Sequence, residues 1–296
     1  MSDRQYEIFD SMLSDLSAIR PDVRDVIWCP LCLNPYGRSS LETKELTEEH
    51  IIPEALGGKI ITFTCKKCNN DDGGQIDSHF VQKVKVDEAL QGYHESIGSD
   101  VYISGHRVLA QVELPNGEGR QGRIFVKKKG SNPAEIEASH QAFLQGAVEK
   151  IQLNMHLRYN QNLARLSVVR SAYLAMFSRF GYRYILNDLV EHIRQLIHKR
   201  DLSNELLDFM SIASIKPDQD VQHPLYILHY AQPMGTSFYV VLIKLSLHSI
   251  SYHGAIMPDI VPNALHIYQE LRTLSKHRPT LQLQFQDIPT PTDGRA

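Results

Sequence analysis

Two identical cysteine pairs constrain the fold of this chain more than any other feature. Cys29 and Cys32 form one Cys-x2-Cys pair, Cys65 and Cys68 form the other, and these four are all the cysteines of the sequence. Each such turn directs two sulfurs at one centre, so two turns complete the tetrahedral ligand set of zinc. Buried or redox-active thiols are the alternative, but that alternative gives no reason for two pairs of equal spacing. We therefore predict a structural zinc site.

The segment around these pairs, residues 27–80, needs such a site. It is polar, rich in Gly, Asn and Cys, and too poor in aliphatic residues to build an ordinary core. Metal binding contributes roughly 10–16 kcal/mol of apparent free energy to small zinc modules. Zinc would therefore supply the stability that burial cannot.

The distribution of charge points to an acidic front and a basic middle. The formal net charge is −3, but residues 1–100 carry −8, residues 101–200 carry +8 and residues 201–296 carry −3. A basic region attracts phosphates, so we expect the middle of the chain to hold a nucleic acid. Lys127, Lys128 and Lys129 are the predicted DNA contacts. Five further basic side chains are predicted to lie on a helix surface or to contact DNA: Arg158, Arg165, Arg170, Arg179 and Arg183.

Hydropathy argues against a membrane protein. The apolar run 238–243 is far shorter than the ~20 residues of a membrane helix. Residues 1–20 carry five acidic or basic side chains before Ala18 rather than the apolar core of a signal peptide. We expect a cytoplasmic protein with no membrane partner.

Hydrophobic periodicity predicts an α+β fold with an N-terminal module and a mixed C-terminal domain. We expect β-hairpins over 101–129, strands over 225–230 and 238–249, and helices over 1–26 (ending near Pro21), 134–153, 163–182, 188–199 (with Asn187 as N-cap) and 263–276. The predicted domains are an N-terminal helix at 1–26, a zinc-containing module at 27–85, an α+β binding or regulatory domain at 101–285, and a flexible tail at 286–296.

A second motif lies between and after the cysteine pairs. Glu48-Glu49-His50-Ile51-Ile52-Pro53 precedes Gly57-Gly58, and Asn69 follows Cys68 directly, at the start of Asn-Asn-Asp-Asp-Gly-Gly-Gln-Ile-Asp. Together with the four cysteines, these residues resemble the HNH endonuclease family in its four-cysteine form. The resemblance covers roughly residues 27–80. It implies a ββα-metal module in which a hairpin and a helix surround one catalytic divalent ion and zinc ties hairpin to helix.

The resemblance also implies roles for single residues. His50 is the general base, Glu49 beside it is a carboxylate ligand of the catalytic metal, and Asn69 is a second ligand. A neutral imidazole is suited to accept a proton from water at cellular pH. Hard oxygen donors favour Mg²⁺ or Mn²⁺, which we expect as the catalytic cofactor beside structural Zn²⁺.

Two features of the motif set conditions on the fold. Neighbouring residues of a regular strand point to opposite faces, so the strand must break between Glu49 and His50 if both are to face one metal. The family's middle Asn steadies the loop that bears the base, but residues 51–68 contain no Asn. Other contacts or the backbone alone must hold this loop. Asp77 and His79 follow on the same helix and are candidates to support the site.

The sequence thus favours a metal-dependent endonuclease that cuts DNA, in restriction or anti-phage defence, acting with a homodimer partner or another defence protein. One alternative is a non-catalytic zinc module that binds a nucleic acid or a protein. Another is a nuclease gated by a ligand or partner of the C-terminal domain, whose identity the sequence does not give. A third keeps the nuclease and makes RNA its substrate.

Overall fold

The computed structural model of the chain describes residues 2–93, 96–115, 121–200, 207, 210–212, 223–231, 237–247 and 249–259. These residues group into two compact units. The split unit comprises residues 2–81 and the described residues from 160 onward, and the inserted unit comprises residues 82–159.

The split unit begins with one helix and a small module that contains the four cysteines. Helix α1 (Asp3–Ile19) starts where the Gln5 side chain accepts a hydrogen bond from the Ser2 amide at 2.9 Å, and it ends before Pro21 as predicted. Its inner face is buried through Phe9, Met12 and Leu16. Two antiparallel strand pairs and a helical run follow: β1 (Val26–Trp28), β2 (Pro35–Gly37), α2 (Ser39–Glu42), β3 (Leu46–His50), β4 (Ile60–Cys65), α3 (Lys66–Asp72), a π-helical turn (Gly73–Asp77) and α4 (Ser78–Leu90).

The inserted unit is a four-stranded antiparallel sheet with a helix, preceded by the end of α4. Its elements are β5 (Ile97–Ile103), β6 (His106–Glu113), β7 (Arg123–Val126), α5 (Pro133–Leu144) and β8 (Ile151–Met155), with strand order β7-β6-β5-β8. Alternate residues of β5 and β6 are buried, and their side chains form an aliphatic core: Val101, Ile103, Val108, Ala110 and Val112. The hairpins predicted over 101–129 therefore form, with part of their second turn outside the described residues.

The helix predicted over 134–153 is wrong in its second half. α5 ends at Leu144, and Gly146 has a φ of 66°, a left-handed conformation that stops a helix at little cost. Residues 151–155 instead form β8, because they pair with residues 99–103 of β5 along an open sheet edge. Short apolar spacing does not by itself distinguish a strand from a helix.

The second part of the split unit contains helices and a sheet. Its elements are α6 (Gln161–Phe180), α7 (Tyr182–Ile185), α8 (Asp188–Lys199), β9 (Ser211–Ile212), β10 (Leu225–Ala231), β11 (Ser237–Ser246) and β12 (Ile250–Pro258), and the described strands are ordered β10-β11-β12-β9. α6 and α8 form close to the predicted positions, and the Asn187 side chain caps α8 by accepting from the Leu189 amide. The strand predicted over 238–249 ends earlier, at Ser246, where the chain turns into β12. The predicted helix at 263–276 and the tail at 286–296 lie outside the described residues.

The grouping of residues differs from the predicted domain at 101–285. The described residues from 160 onward group with the N-terminal module, and residues 82–159 form the other unit. The reason is a set of buried long-range bonds from α6, such as the Tyr173 hydroxyl donating to the Pro30 carbonyl at 2.6 Å. The α+β class is confirmed, since helices and antiparallel sheets occur in both units. Within the described part of the chain, no helix combines the length and apolarity that a membrane crossing needs.

Candidate functional site

The four cysteines meet in one cluster at the base of the hairpin β3–β4. Their sulfurs all lie within 4.8 Å of one another, and three of the four residues are buried. The first pair follows β1 in a tight turn, in which the Leu33 amide donates to the Cys29 carbonyl and Leu33 adopts a φ of 60°. The second pair begins at Cys65, which ends β4 and caps α3 by accepting from the Cys68 amide at 3.4 Å. The arrangement fits a tetrahedral zinc ion.

The pKa values of the first two cysteines of this cluster are shifted in opposite directions. The pKa of Cys32 is lowered to about 7, chiefly by its hydrogen bond with Cys29. The pKa of Cys29 is raised in turn, chiefly by its hydrogen bonds with Cys32 and Cys65. Thiolate is the form that binds zinc, and the lowered pKa of Cys32 favours that form.

Helices α6 to α8 support the first cysteine pair from outside the module. Tyr173 donates to the Pro30 carbonyl, and Arg194 donates to the Leu31 carbonyl at 3.2 Å. The Trp28 amide donates to the Tyr182 hydroxyl at 2.9 Å. The turn between Cys29 and Cys32 is therefore held by side chains from a part of the sequence that the cysteine spacing does not reveal.

The hairpin β3–β4 is irregular at the point where the sequence requires it. Glu49 lies opposite Thr62, but His50 lies opposite Ile60, so Ile61 is the extra residue of a bulge. A bulge bends the strand and re-aims the side chains beside it. The extra residue lies on β4, whereas β3 runs through His50, so the predicted ending of β3 between Glu49 and His50 does not form and a register shift of the partner strand is found there instead.

The loop after His50 is held by its backbone and by buried apolar side chains rather than by an Asn. Ile51, Ile52 and Leu56 are buried, and a 3₁₀ turn over Glu54–Leu56 closes through hydrogen bonds to the Pro53 and Glu54 carbonyls. Gly57 has a φ of 84°, and a Cβ on Gly58 would lie 1.7 Å from the Ile52 carbonyl oxygen.

Glu49 lies in a buried charge cluster that we define as Glu49, Asp77 and Arg170. Its carboxylate oxygen Oε2 is 3.0 Å from Nη2 of Arg170 and accepts from the Thr64 hydroxyl at 2.7 Å. Nη1 of the same guanidinium donates to Oδ2 of Asp77 at 3.2 Å, and the Ser167 hydroxyl donates to Oδ1 of Asp77 at 2.7 Å. Glu49 is 2% exposed and Arg170 is 0% exposed.

Burial sets the electrostatics of this cluster. Desolvation raises the pKa of Glu49, and the positive charge of Arg170 together with the Thr64 hydrogen bond opposes that rise. Two carboxylates face one guanidinium, so with both ionised the cluster carries a net charge of −1. A buried net negative charge of oxygen donors is a fitting environment for a hard divalent cation.

Asn69 lies on the same face of the hairpin as Glu49. Its Nδ2 donates to the Thr47 hydroxyl at 3.0 Å and to the Glu48 carbonyl at 2.9 Å, which ties α3 to β3. Thr47 and Glu49 are two residues apart on β3 and share one face. These bonds use both donors of the amide, so a metal contact by Asn69 falls to Oδ1.

His50 lies next to the bulge and is half buried. None of the described residues hydrogen-bonds to its ring, whereas the ring of His79 accepts from the Asn160 amide at 3.0 Å. The structure thus brings Glu49 and Asn69 to one face, places His50 at the adjacent bulge, and assigns His79 to the start of α6.

The predicted DNA-contacting lysines lie in the inserted unit. Lys127, Lys128 and Lys129 follow β7 and are exposed. Lys127 lines a cleft of about 230 Å³ in that unit, together with Lys85, His156 and Arg158. Of the three lysines, Lys127 thus shares this cleft with other basic side chains.

Sequence reasoning missed the role of Arg170. We expected this side chain on a helix surface or against DNA, and that expectation is wrong, because Arg170 is buried. The signal was present in the periodicity of α6: Leu166, Tyr173 and Phe177 lie on its buried face, and Arg170 falls four residues after Leu166 and three before Tyr173. A charged residue on an apolar stripe needs a buried partner.

Comparison with known families agrees with this geometry. Residues 29–85 match the family model described as HNH endonuclease. The search of curated proteins and the search of solved structures each found no match. The matched range contains the four cysteines, Glu49, His50 and Asn69, and it ends before α6.

Proposed function

We propose, on the premise that residues 29–85 belong to the HNH endonuclease family, that this protein is a metal-dependent endonuclease that hydrolyses DNA phosphodiester bonds. The observation that carries the proposal is the shared hairpin face of Glu49 and Asn69, with His50 at the neighbouring bulge. Following the same resemblance, we propose a role in restriction or anti-phage defence.

His50 acts as the general base in this proposal. Its imidazole accepts a proton from the attacking water, the role that histidine most often takes as a general base. The bulge beside it and the buried loop that follows fix the backbone from which the ring projects. Positioning of the base matters because small displacements reduce proton-transfer rates strongly.

Glu49 and Oδ1 of Asn69 would hold the catalytic cation, for which we propose Mg²⁺ or Mn²⁺. When bound, such a cation supplies positive charge to the phosphate and the leaving oxygen. The net −1 of the charge cluster and the hard oxygen donors support this assignment. The four cysteines would bind a separate zinc ion with a structural role.

A plasmid assay tests the mechanism. Purified protein with Mg²⁺ or Mn²⁺ should nick or linearise supercoiled DNA, and His50→Ala should reduce the rate by about 10²–10⁴-fold because the general base is lost. His198→Ala is the matched control, since His198 is an exposed histidine on α8, and it should retain the wild-type rate. Cleavage that survives His50→Ala, or no cleavage with either metal, contradicts the mechanism. Matched DNA and RNA duplexes decide the substrate.

Substrate binding is proposed to involve the lysine run of the inserted unit. Replacing Lys127, Lys128 and Lys129 together by Gln should weaken DNA binding at every sequence. The slope of log K against log salt should become shallower by about 0.9 for each lost phosphate contact. Lys44→Gln, at an exposed lysine of the split unit, is the control and should leave the slope unchanged. An unchanged slope in the triple variant would remove these lysines from the DNA-binding surface.

A non-catalytic zinc module is the second candidate because of one observation. Glu49 is 2% exposed, and its Oε2 is already paired with Arg170 and accepts from the Thr64 hydroxyl. A module of this kind would bind its partner without any metal-dependent cleavage. The same plasmid assay separates the two functions.

A further inference from the structure

Arg170 belongs to the candidate active site although it lies outside the matched residues. It sits on α6, 93 residues after Asp77 in the sequence, and none of its surface is exposed. Burial of a guanidinium costs several kcal/mol unless the charge is paired and hydrogen-bonded. Arg170 is paired twice, with Asp77 through Nη1 and with Glu49 through Nη2.

The geometry of this pairing uses the planar guanidinium. Its two terminal nitrogens face two different carboxylates, one from the hairpin and one from the end of the π-helical turn. The ammonium group of lysine is a compact point charge and does not reproduce such a fork. Hydroxyl donors bond each carboxylate as well: Thr64 donates to Oε2 of Glu49, the oxygen that faces Arg170. Ser167 donates to Oδ1 of Asp77, whereas Nη1 of Arg170 donates to Oδ2.

We propose that Arg170 is a positioning residue that holds Glu49 for the catalytic cation and sets the affinity of that site by its charge. The proposal rests on the proposed function, because it takes Glu49 as a ligand of the cation. Arg170 supplies one positive charge to two carboxylates, and the cation neutralises the remaining negative charge of the cluster. α6 is then part of the metal site, and residues 29–85 alone do not form the complete centre.

The charge of the cluster can be varied in both directions around the wild-type value. With both carboxylates ionised, the cluster carries −1 in the wild type, −2 in Arg170→Met and 0 in Asp77→Asn. A more negative cluster attracts a divalent cation more strongly. The affinity for the cation should therefore be highest in Arg170→Met, intermediate in the wild type and lowest in Asp77→Asn.

The test measures Mn²⁺ binding to the zinc-loaded full chain by electron paramagnetic resonance of the free ion, in parallel with thermal unfolding. We expect the Kd for Mn²⁺ to fall by about tenfold in Arg170→Met and to rise by about tenfold in Asp77→Asn, a conservative change for one unit charge close to a divalent ion. Arg170→Met should lose thermal stability without Mn²⁺ and regain most of it at saturating Mn²⁺. Arg170→Lys should not restore the wild-type values.

Arg179→Met is the matched control, since Arg179 is an exposed arginine of the same helix. It should leave both the Kd and the thermal stability unchanged. Equal Mn²⁺ affinities in the wild type, Arg170→Met and Asp77→Asn would overturn the proposal. If Arg170→Met does not fold, Asp77→Asn decides alone, because it removes one negative charge and keeps the ion pair between Arg170 and Glu49.

This outcome is separate from that of the proposed function. Affinities in the expected order, together with a wild type that cleaves no plasmid, would uphold the role of Arg170 and refute the nuclease. If cleavage depends on His50 but neither Arg170→Met nor Asp77→Asn changes the affinity for Mn²⁺, the nuclease is upheld and the role of Arg170 is refuted.

Discussion

The two units of this protein bury different chemistry. The split unit encloses four thiols and a cluster of three charged side chains, and each of these needs a specific partner to be stable inside a protein. The inserted unit encloses an aliphatic core between a sheet and a helix, formed around Val101, Val108 and Val112. Polar burial requires specific partners in a fixed geometry, whereas apolar burial is driven by a non-directional effect. The candidate catalytic residues accordingly lie in the split unit.

Loss of zinc should destabilise the split unit and leave the inserted unit intact, and this is the largest effect that we expect. Cys65→Ser removes one sulfur of the candidate zinc site but keeps an N-cap side chain for α3, and the apparent binding free energy of structural zinc, roughly 10–16 kcal/mol, exceeds the total stability of many domains. Hydrogen exchange measured by mass spectrometry should show amides of β1 to β4 losing their protection. Amides of β5 and β6 are the internal control and should keep theirs.

A different result would change the comparison itself. Equal loss of protection in both units would mean that they unfold together, so that the inserted unit has no stability of its own. Full protection of β1 to β4 in Cys65→Ser would mean that burial around Phe63 and Leu46, not zinc, holds the hairpin.

A cavity in the aliphatic core should have the reverse effect. Ile103→Ala removes a buried side chain from β5, and such substitutions cost about 2–5 kcal/mol. Protection of β5, β6 and β8 should fall, while the zinc content and the protection of β3 and β4 stay at wild-type values. Phe125→Ala is the control, since this side chain on β7 is 48% exposed and its removal should change stability by less than about 0.5 kcal/mol. A loss of zinc in Ile103→Ala would contradict the separation of the two units.

The sequence was sufficient where the chemistry is local. The spacing of Cys29, Cys32, Cys65 and Cys68 predicts one cluster, because each Cys-x2-Cys turn directs its two sulfurs at one centre. Strand geometry alone shows that the hairpin must be irregular near Glu49 if Glu49 and His50 are to face one metal, and the pairing shifts register there, although the extra residue lies on β4. These features need no knowledge of what packs against them.

The sequence was insufficient where partners are distant. The contact between Arg170 and Asp77 joins residues 93 positions apart, and no pattern along the chain pairs one carboxylate with one arginine among many. Gly58 is a similar case: the sequence shows a glycine there, but only the structure reveals that a Cβ at this position would meet the Ile52 carbonyl. The domain predicted over 101–285 missed the actual grouping for the same reason, since buried bonds such as that from Tyr173 to Pro30 join α6 to the module.

The smallest expected effect concerns an exposed ion pair of the inserted unit. Asp100 Oδ2 lies 3.2 Å from Nε2 of His156, and its Oδ1 lies 2.9 Å from Nη2 of Arg107. The hydrogen bond from His156 is the largest cause that lowers the pKa of Asp100, and Arg107 lowers it further. The folded state therefore binds this proton more weakly than the unfolded state does.

The sign of the pH dependence follows from that shift. The pairing contributes stability above the unfolded pKa of about 3.9, and this contribution is lost as the pH falls through the lower folded pKa. In Asp100→Asn, the free energy of unfolding of the inserted unit should thus fall less steeply with decreasing pH than in the wild type. Urea unfolding between about pH 2 and 6 measures this difference. The difference should shrink in about 1 M NaCl, since salt screens exposed charges. A difference that persists in high salt would indicate that the substitution of Asp100 alters packing, because charge pairing at the surface of β5 does not survive such screening.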